Sequence, residues 1–349
     1  MNNSMSELWS RLGFLAIALV VYRIGTHIPI PGINPEQVAA LFQQSQGTIL
    51  QYFNLFSGGA LERMSIFALS VVPYISSAIV MQLFSNSVPY LQELKKDGQA
   101  GRNKITQYTR YGTVIFALIQ SSALTVTLQT AGLIDAGSIF SAFVAVISIV
   151  TGTMFLMWLG EQITQRGIGN GISLIIFSGI VAEIPRALVT TFELGRTGAI
   201  STVMIIFIFV LLIATIMFVV FMERALRKIL INYPKRQMGN KMYGGESSHL
   251  PLKINQAGVI PAIFASALLL LPVTFSNFDV SDNETFLNLS SYFTQGQPLY
   301  MLLYASGIIF FTFFYTSITF NPTETADNLR KYGGFVPGIR PGESTALYI

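Results

Sequence analysis

The sequence predicts an all-α polytopic membrane protein, and three observations carry that assignment. Mean hydropathy is +0.56. Only 11% of the 349 residues are charged, whereas soluble domains carry about a quarter. Eight stretches approach the roughly 20 apolar residues that a bilayer core requires: 12–30, 66–88, 111–133, 139–159, 172–189, 200–222, 257–275 and 299–320. The first is interrupted by Arg23 and is followed by no small-residue cleavage site, so it reads as a retained anchor rather than a signal peptide. There are no cysteines, which excludes disulfide staples and thiolate metal sites.

Charge orients the spans. Of the 21 Lys and Arg, 17 fall in the amino-terminal tail, the second-third, fourth-fifth and sixth-seventh connections and the carboxy-terminal tail. Arg63, Arg186 and Arg196 fall on the other side, and Arg23 lies within a span. The positive-inside rule then expects both ends in the cytoplasm.

After the first span, residues 31–65 form a long connection with its own short helix, where Asn34 can cap, Pro35 suits the first helical position and Gln37 stands as capping-box partner. Ser57, Gly58 and Gly59 break the chain, and residues 60–64 read as a charged half-helix entering the second span. That span carries Pro73, Ser76, Ser77 and Gln82. Unsatisfied polar groups are costly in hydrocarbon, so the stretch is expected to face protein or a water-filled cavity. An ordinary surface loop is the alternative for its entry.

The second-third connection is basic over residues 95–104, and the Gly167–Gly171 run follows a membrane helix rather than a strand, so it reads as a tight turn and not a phosphate loop. The sixth-seventh connection, 224–253, carries seven Lys and Arg and a hairpin-like centre at residues 242–246. The seventh-eighth connection, 276–298, carries Asp279, Asp282 and Glu284 with no Lys or Arg. After the last span, Asn321-Pro-Thr-Glu324 is a helix start, Arg330 and Lys331 suit its end, and Gly333-Gly334 stop it. Arg340 then stands between two Pro-Gly turns, a stiff tip that loses little entropy when it pairs with an acidic partner; a merely solvated arginine is the alternative.

Enzymatic readings find little footing. His27 and His249 are far apart, which rules out a His-Glu-x-x-His zinc site, and neither a Walker loop nor a serine-nucleophile motif occurs. No catalytic residue, metal or cofactor is implied. Val71 and Ile75, like Ile172 and Ile176, are four apart and share a helical face. A ring of branched apolar side chains would resist ion flow by dewetting; ordinary helix packing explains each pair equally.

The motifs Phe53-Asn-Leu-Phe-Ser-Gly-Gly-Ala-Leu61, Pro73-Tyr-Ile-Ser76, Gln107-Tyr-Thr-Arg-Tyr-Gly112, Thr151-Gly-Thr-Met-Phe-Leu-Met-Trp-Leu-Gly-Glu-Gln162, Gly167-Ile-Gly-Asn-Gly-Ile-Ser173, Pro251-Leu-Lys-Ile-Asn255 and Phe335-Val-Pro-Gly-Ile-Arg-Pro-Gly342 closely resemble the bacterial SecY family, nearly end to end. The resemblance implies an inverted-repeat helical channel: an amino-terminal half over 1–190 with five spans, and an incomplete carboxy-terminal half over 191–349 with three spans and the loops 224–256 and 321–349. Eight of the family's ten helices are then present, and a carboxy-terminal truncation is expected. It implies a protein-conducting channel of the bacterial inner membrane that passes unfolded preproteins across and releases transmembrane segments sideways. A solute transporter or a non-conducting scaffold on the same fold is the alternative.

By the same resemblance, a plug over about 49–64 includes Phe56, Ser57, Gly58, Gly59, Ala60, Leu61, Glu62 and Arg63. The pore ring maps to Val71, Ile75, Ile172, Ile176 and Ile263, and the lateral gate to Ser76, Gln82, Asn255 and Ser266. Docking of the SecA motor or the ribosome maps to Lys235, Arg236, Lys241, Arg330, Lys331 and Arg340. Implied partners are SecE, SecG, preproteins with their signal sequences and membrane lipids, with no sequence-specific nucleic-acid binding.

Overall fold

A computed structural model describes residues 2–33, 38, 54, 57–130, 132–134, 139–233, 236–238, 241–243, 247–276 and 298–349. Its helices are α1 (Asn2–Gly25), α2 (Val72–Ser87), α3 (Pro89–Lys96), α4 (Gly98–Thr130), α5 (Ile139–Arg166), α6 (Gly171–Arg196), α7 (Thr202–Arg224), α8 (Ile260–Ser276), α9 (Pro298–Thr319), α10 (Pro322–Lys331) and α11 (Glu343–Tyr348). Four strands, β1 (Leu226–Asn232), β2 (Arg236–Met238), β3 (Lys241–Tyr243) and β4 (Ser247–Lys253), lie between α7 and α8. Among the described residues, six helices are long and apolar enough to cross a membrane. The expected second and seventh spans are shorter helices, α2 with 16 residues and α8 with 17.

The second span departs from expectation at its start. Residues 57–71 are successive turns, not a half-helix, and α2 begins only at Val72. Gly58, Gly59, Met64 and Ser70 all have positive φ, at 64°, 78°, 42° and 50°. A right-handed helix does not tolerate that conformation, so the helical repeat starts where Pro73, in its first turn, fixes φ. The residues of the expected helix at Asn34, Pro35 and Gln37 lie outside those described.

The chain divides into two compact units, residues 1–191 with 263–306, and residues 192–262 with 307–349. In the first, the core gathers Ile30, Ile33, Leu61, Met64 and Ala68 from the connection with Leu128, Ala145 and Ile149. Tyr22, Phe67 and Phe155 stack in series at centroid separations of 6.2 and 5.9 Å, and Trp158 lies tilted against Phe155 at 5.8 Å. Gly152 of α5 lies so close to the Ile66 carbonyl that no side chain fits between them. The basic 95–104 segment, a connection by its sequence, is helical: it straddles the end of α3 and the start of α4, parted at Asp97. Gly167–Asn170 is the expected tight turn. Asn170 Oδ1 accepts from the amides of Ile172 at 3.1 Å and Ser173 at 3.3 Å, and Gly169 takes φ 72°.

In the second unit, α7 has a Ser201 cap whose hydroxyl accepts from the Met204 amide at 3.3 Å, and none of its residues is buried. Such a largely apolar helix with no buried residue suits lipid rather than water. The strands build a nested hairpin: β1 pairs antiparallel with β4, Leu226 opposite Lys253, and β2 with β3, Met238 opposite Lys241. Met242 therefore lies inside β3 opposite Gln237 rather than at the hairpin centre. α10 starts as its sequence predicts: Asn321 Oδ1 accepts from the amides of Thr323 at 3.1 Å and Glu324 at 3.3 Å.

Candidate functional site

The turn segment 57–71 carries the plug candidates from Ser57 to Arg63 and the ring candidate Val71. Its backbone runs against the end of α1. Ile30 donates its amide to the Met64 carbonyl at 2.9 Å, and Ile66 to the Ile28 carbonyl at 3.0 Å, with Pro29 bridging Ser65. Arg23, the charge within the first span, has no carboxylate in ion-pair contact among the described residues. It donates Nη1 to the Gly58 carbonyl at 2.8 Å, and its neighbour Tyr22 donates its hydroxyl to the Ser57 carbonyl at 3.1 Å. Each of these polar groups thus finds its partner in backbone that the turn conformation left unpaired.

The other wall of the segment is α6. Gly179, Glu183 and Arg186 are spaced four and three apart, so they form one stripe. A Cβ on Gly58 would fall 2.8 Å from Gly179 Cα, and one on Gly59 would fall 2.6 Å from Glu183 Oε1. Arg186 donates to both Glu62 carboxylate oxygens, at 3.0 and 3.1 Å, and Arg63 lies 3.8 Å from Glu183. Asn54 also holds Glu62, donating to Oε2 at 3.0 Å while its own side-chain carbonyl oxygen accepts the Glu62 amide at 2.9 Å. Burial alone would raise the Glu62 carboxyl; the Arg186 fork, with Asn54 and Arg63, outweighs it and holds the group below its ordinary value of 4.5.

Of the plug candidates, Ser57 to Arg63 are thus all part of this braced turn, with Ser57, Gly58, Gly59, Ala60 and Leu61 buried; Phe56 lies outside the described residues. Among the ring candidates, Val71 and Ile75 are buried one turn apart, the Ile75 amide donating to the Val71 carbonyl at 3.1 Å. Ile176 is buried, Ile172 and Ile263 half-buried. Among the gate candidates, Ser76 is buried and its hydroxyl meets no hydrogen-bond partner among the described residues. Gln82 is half-buried. Ser266 donates to the Ile263 carbonyl at 2.8 Å, so its hydroxyl is spent within its own helix. Asn255 donates to Glu223 at 2.8 Å and accepts the Gly258 amide at 3.1 Å, fixing the turn into α8.

The docking candidates lie in the second unit, where two basic connections form one body. Asn232 of β1 and Phe335 exchange both backbone hydrogen bonds, at 2.9 and 3.1 Å, and the Arg227 guanidinium sits 5.6 Å over the Tyr348 ring of α11. Arg330, Lys331 and Arg340 are exposed. Arg340 is framed by Gly338 and Gly342 at φ 81° and 106°, and its carbonyl accepts from Thr345 at 3.0 Å, so the tip is braced from behind. Arg236 and Lys241 lie on the short inner strands, while Lys235 lies outside the described residues. Sequence reasoning missed the Arg23, Glu183 and Arg186 contacts; the only signal was that these charges sit within apolar helices.

The SecY family model matches residues 65–349. A protein translocase subunit SecY of Pseudomonas aeruginosa is 55% identical over 350 residues, spanning 100% of this chain and 79% of that protein. One of Escherichia coli strain K12 is 54% identical over 351 residues, spanning 99% and 79%. A solved protein-conducting channel superposes with a TM-score of 0.67 at 18% identity, over 98% of this chain and 81% of its own. A solved SecY protein, whose plug domain is described as stabilising the closed channel and maintaining a membrane seal, superposes at 0.60 with 19% identity, over 98% and 80%. The braced turn at the head of a polar-flecked helix therefore stands in a known frame, and with over half its residues shared along its whole length the chain belongs to the SecY family.

Proposed function

We infer that this chain is a channel subunit of a protein translocase, a multi-pass membrane protein through which polypeptide crosses the bilayer. The observation that carries this reading is the turn segment 57–64, held by hydrogen bonds to α1 and by charges to α6 at the head of α2. It acts as a plug, and its withdrawal opens a path past Val71, Ile75, Ile172, Ile176 and Ile263. Branched side chains at that narrowing close around a chain and shed water when empty. Ser76, Gln82, Asn255 and Ser266 belong to the seam through which transmembrane segments leave for lipid. The halves 1–190 and 191–349 are the two walls of the channel.

The chain lies in the bacterial inner membrane with its amino terminus in the cytoplasm, a reading supported by the 17 Lys and Arg on that side. SecE and SecG accompany it. The SecA motor or the ribosome docks on the body formed by β1–β4 and the α10–α11 tip, with Arg340 as its stiff cationic contact. Transport of a preprotein into reconstituted vesicles tests the reading. Arg340→Glu is expected to lower SecA-dependent transport at least tenfold while leaving the protein inserted, and unimpaired transport would remove the docking role.

A further inference from the structure

Four charges meet across the plug and α6 in alternating order. Glu62 and Arg63 are adjacent on the turn; Glu183 and Arg186 are three apart on the helix stripe that also carries Gly179. The stronger rung is the fork from Arg186 to Glu62, two charge-assisted bonds at 3.0 and 3.1 Å between residues 124 positions apart. The weaker is Arg63 with Glu183 at 3.8 Å. Both acidic side chains are mostly sheltered, 16% and 15% exposed, while the guanidiniums reach outward at 58% and 33%. The glycine contact beneath, Gly58 on Gly179, sets the distance at which both rungs close. Asn54 orients Glu62 toward Arg186 from behind.

Folding of α6 does not require this arrangement, since a helix satisfies its own backbone and an outward arginine solvates freely. The quartet instead joins a segment without regular structure to a rigid element through side chains alone. We propose that the Glu62–Arg186 and Arg63–Glu183 rungs are a latch that holds the channel's plug shut and sets the threshold for opening. This rests on the reading of 57–64 as the plug. Both rungs break together when the turn moves off the stripe, and because the quartet is net neutral its release leaves no charge of one sign facing the path. Glu62 and Arg186 are positioning residues: they act on the polypeptide path only through the plug.

The test is the resting ion conductance of the intact assembly in planar bilayers without preprotein, with membrane-inserted protein quantified for each variant. Glu62→Arg and Arg186→Glu should each raise resting conductance about fivefold, the scale of losing one partly screened pair and gaining repulsion. The paired exchange, Glu62→Arg with Arg186→Glu, should return it to within about twofold of wild type. A merely structural role would change inserted amount in all three and give no rescue of conductance. Single reversals that conduct like wild type, or an exchange that leaks as much as either reversal, would overturn the latch. Deletion of residues 57–64 separates the two ideas. If the deletion leaks and the reversals do not, the plug stands and the latch falls; if the deletion is as tight as wild type, the plug reading falls and takes the latch with it. Should a reversal fail to insert, Glu62→Gln and Arg186→Gln carry the same test, with an expected rise of about twofold; no rise would likewise overturn the latch.

Discussion

At the scale of single residues, Gly58 and Glu62 carry the most definite consequences. Gly58 combines a φ of 64° with a Cβ position 2.8 Å from Gly179 Cα, so a side chain there meets both backbone strain and backbone contact. Gly132 has a similar φ of 72° with nothing near its Cβ position. Gly58→Ala should therefore lower stability by about 2–3 kcal/mol and Gly132→Ala by about 1 kcal/mol. Thermal unfolding of the purified protein checks the difference; equal losses would mean that the Gly58–Gly179 approach is not tight. For Glu62 the native value lies below the ordinary 4.5, so the unfolded chain binds more protons between the two values. Its contribution is then present above pH 4.5 and is lost as pH falls through the lowered native value. Because Arg186 is well exposed, the effect is small, below about 1 kcal/mol. Melting temperature should fall more for wild type than for Glu62→Gln on acidification from pH 7 to pH 4, and parallel falls would contradict the pairing.

At the scale of elements, local chemistry decides where helices begin. The Asn321 cap with Pro322 behind it, the stop at Gly333 and Gly334, and the Asn170 turn are all legible because each depends on residues within a few positions. The same holds for the break at Ser57-Gly-Gly. Whether that break led into a half-helix was not legible: the positive φ of Met64 and Ser70 arises from tertiary contacts, namely the Ile30–Met64 hydrogen bond and the fit of Phe67 between Tyr22 and Phe155. The hairpin centre was misplaced for a related reason, since Gly244-Gly245 is the stronger local turn signal while pairing of β1 with β4 sets the register. Asn321→Ala removes the only side-chain acceptor for two first-turn amides and should cost α10 about 1 kcal/mol. Amide hydrogen exchange across 322–331 should quicken roughly fivefold with the β1–β4 pairing unaffected; unchanged exchange would mean that packing against α11, not the cap, holds α10.

At the scale of the whole molecule, the membrane class follows from composition, and the family from motifs spread over the full chain. The pairings that brace the turn segment 57–64 do not follow from either. Arg186 with Glu62 and Arg23 with the Gly58 carbonyl join positions 124 and 35 apart, just as Arg110 with Glu161, at 2.7 Å, ties α4 to α5 across 51 positions, and periodicity carries no information on such partners. Nor does helical spacing tell whether a buried pair such as Val71 and Ile75 lines a pore or packs, since either role presents an apolar face. The central claim is that polypeptide passes this apolar face once the segment 57–64 has moved. Site-specific photocrosslinking from Ile75, with a preprotein arrested midway through transport, tests it most directly. Crosslinks to the arrested chain are expected from Ile75 and none from Phe218, an exposed residue of α7; transport that proceeds with no crosslink at Ile75 would contradict it.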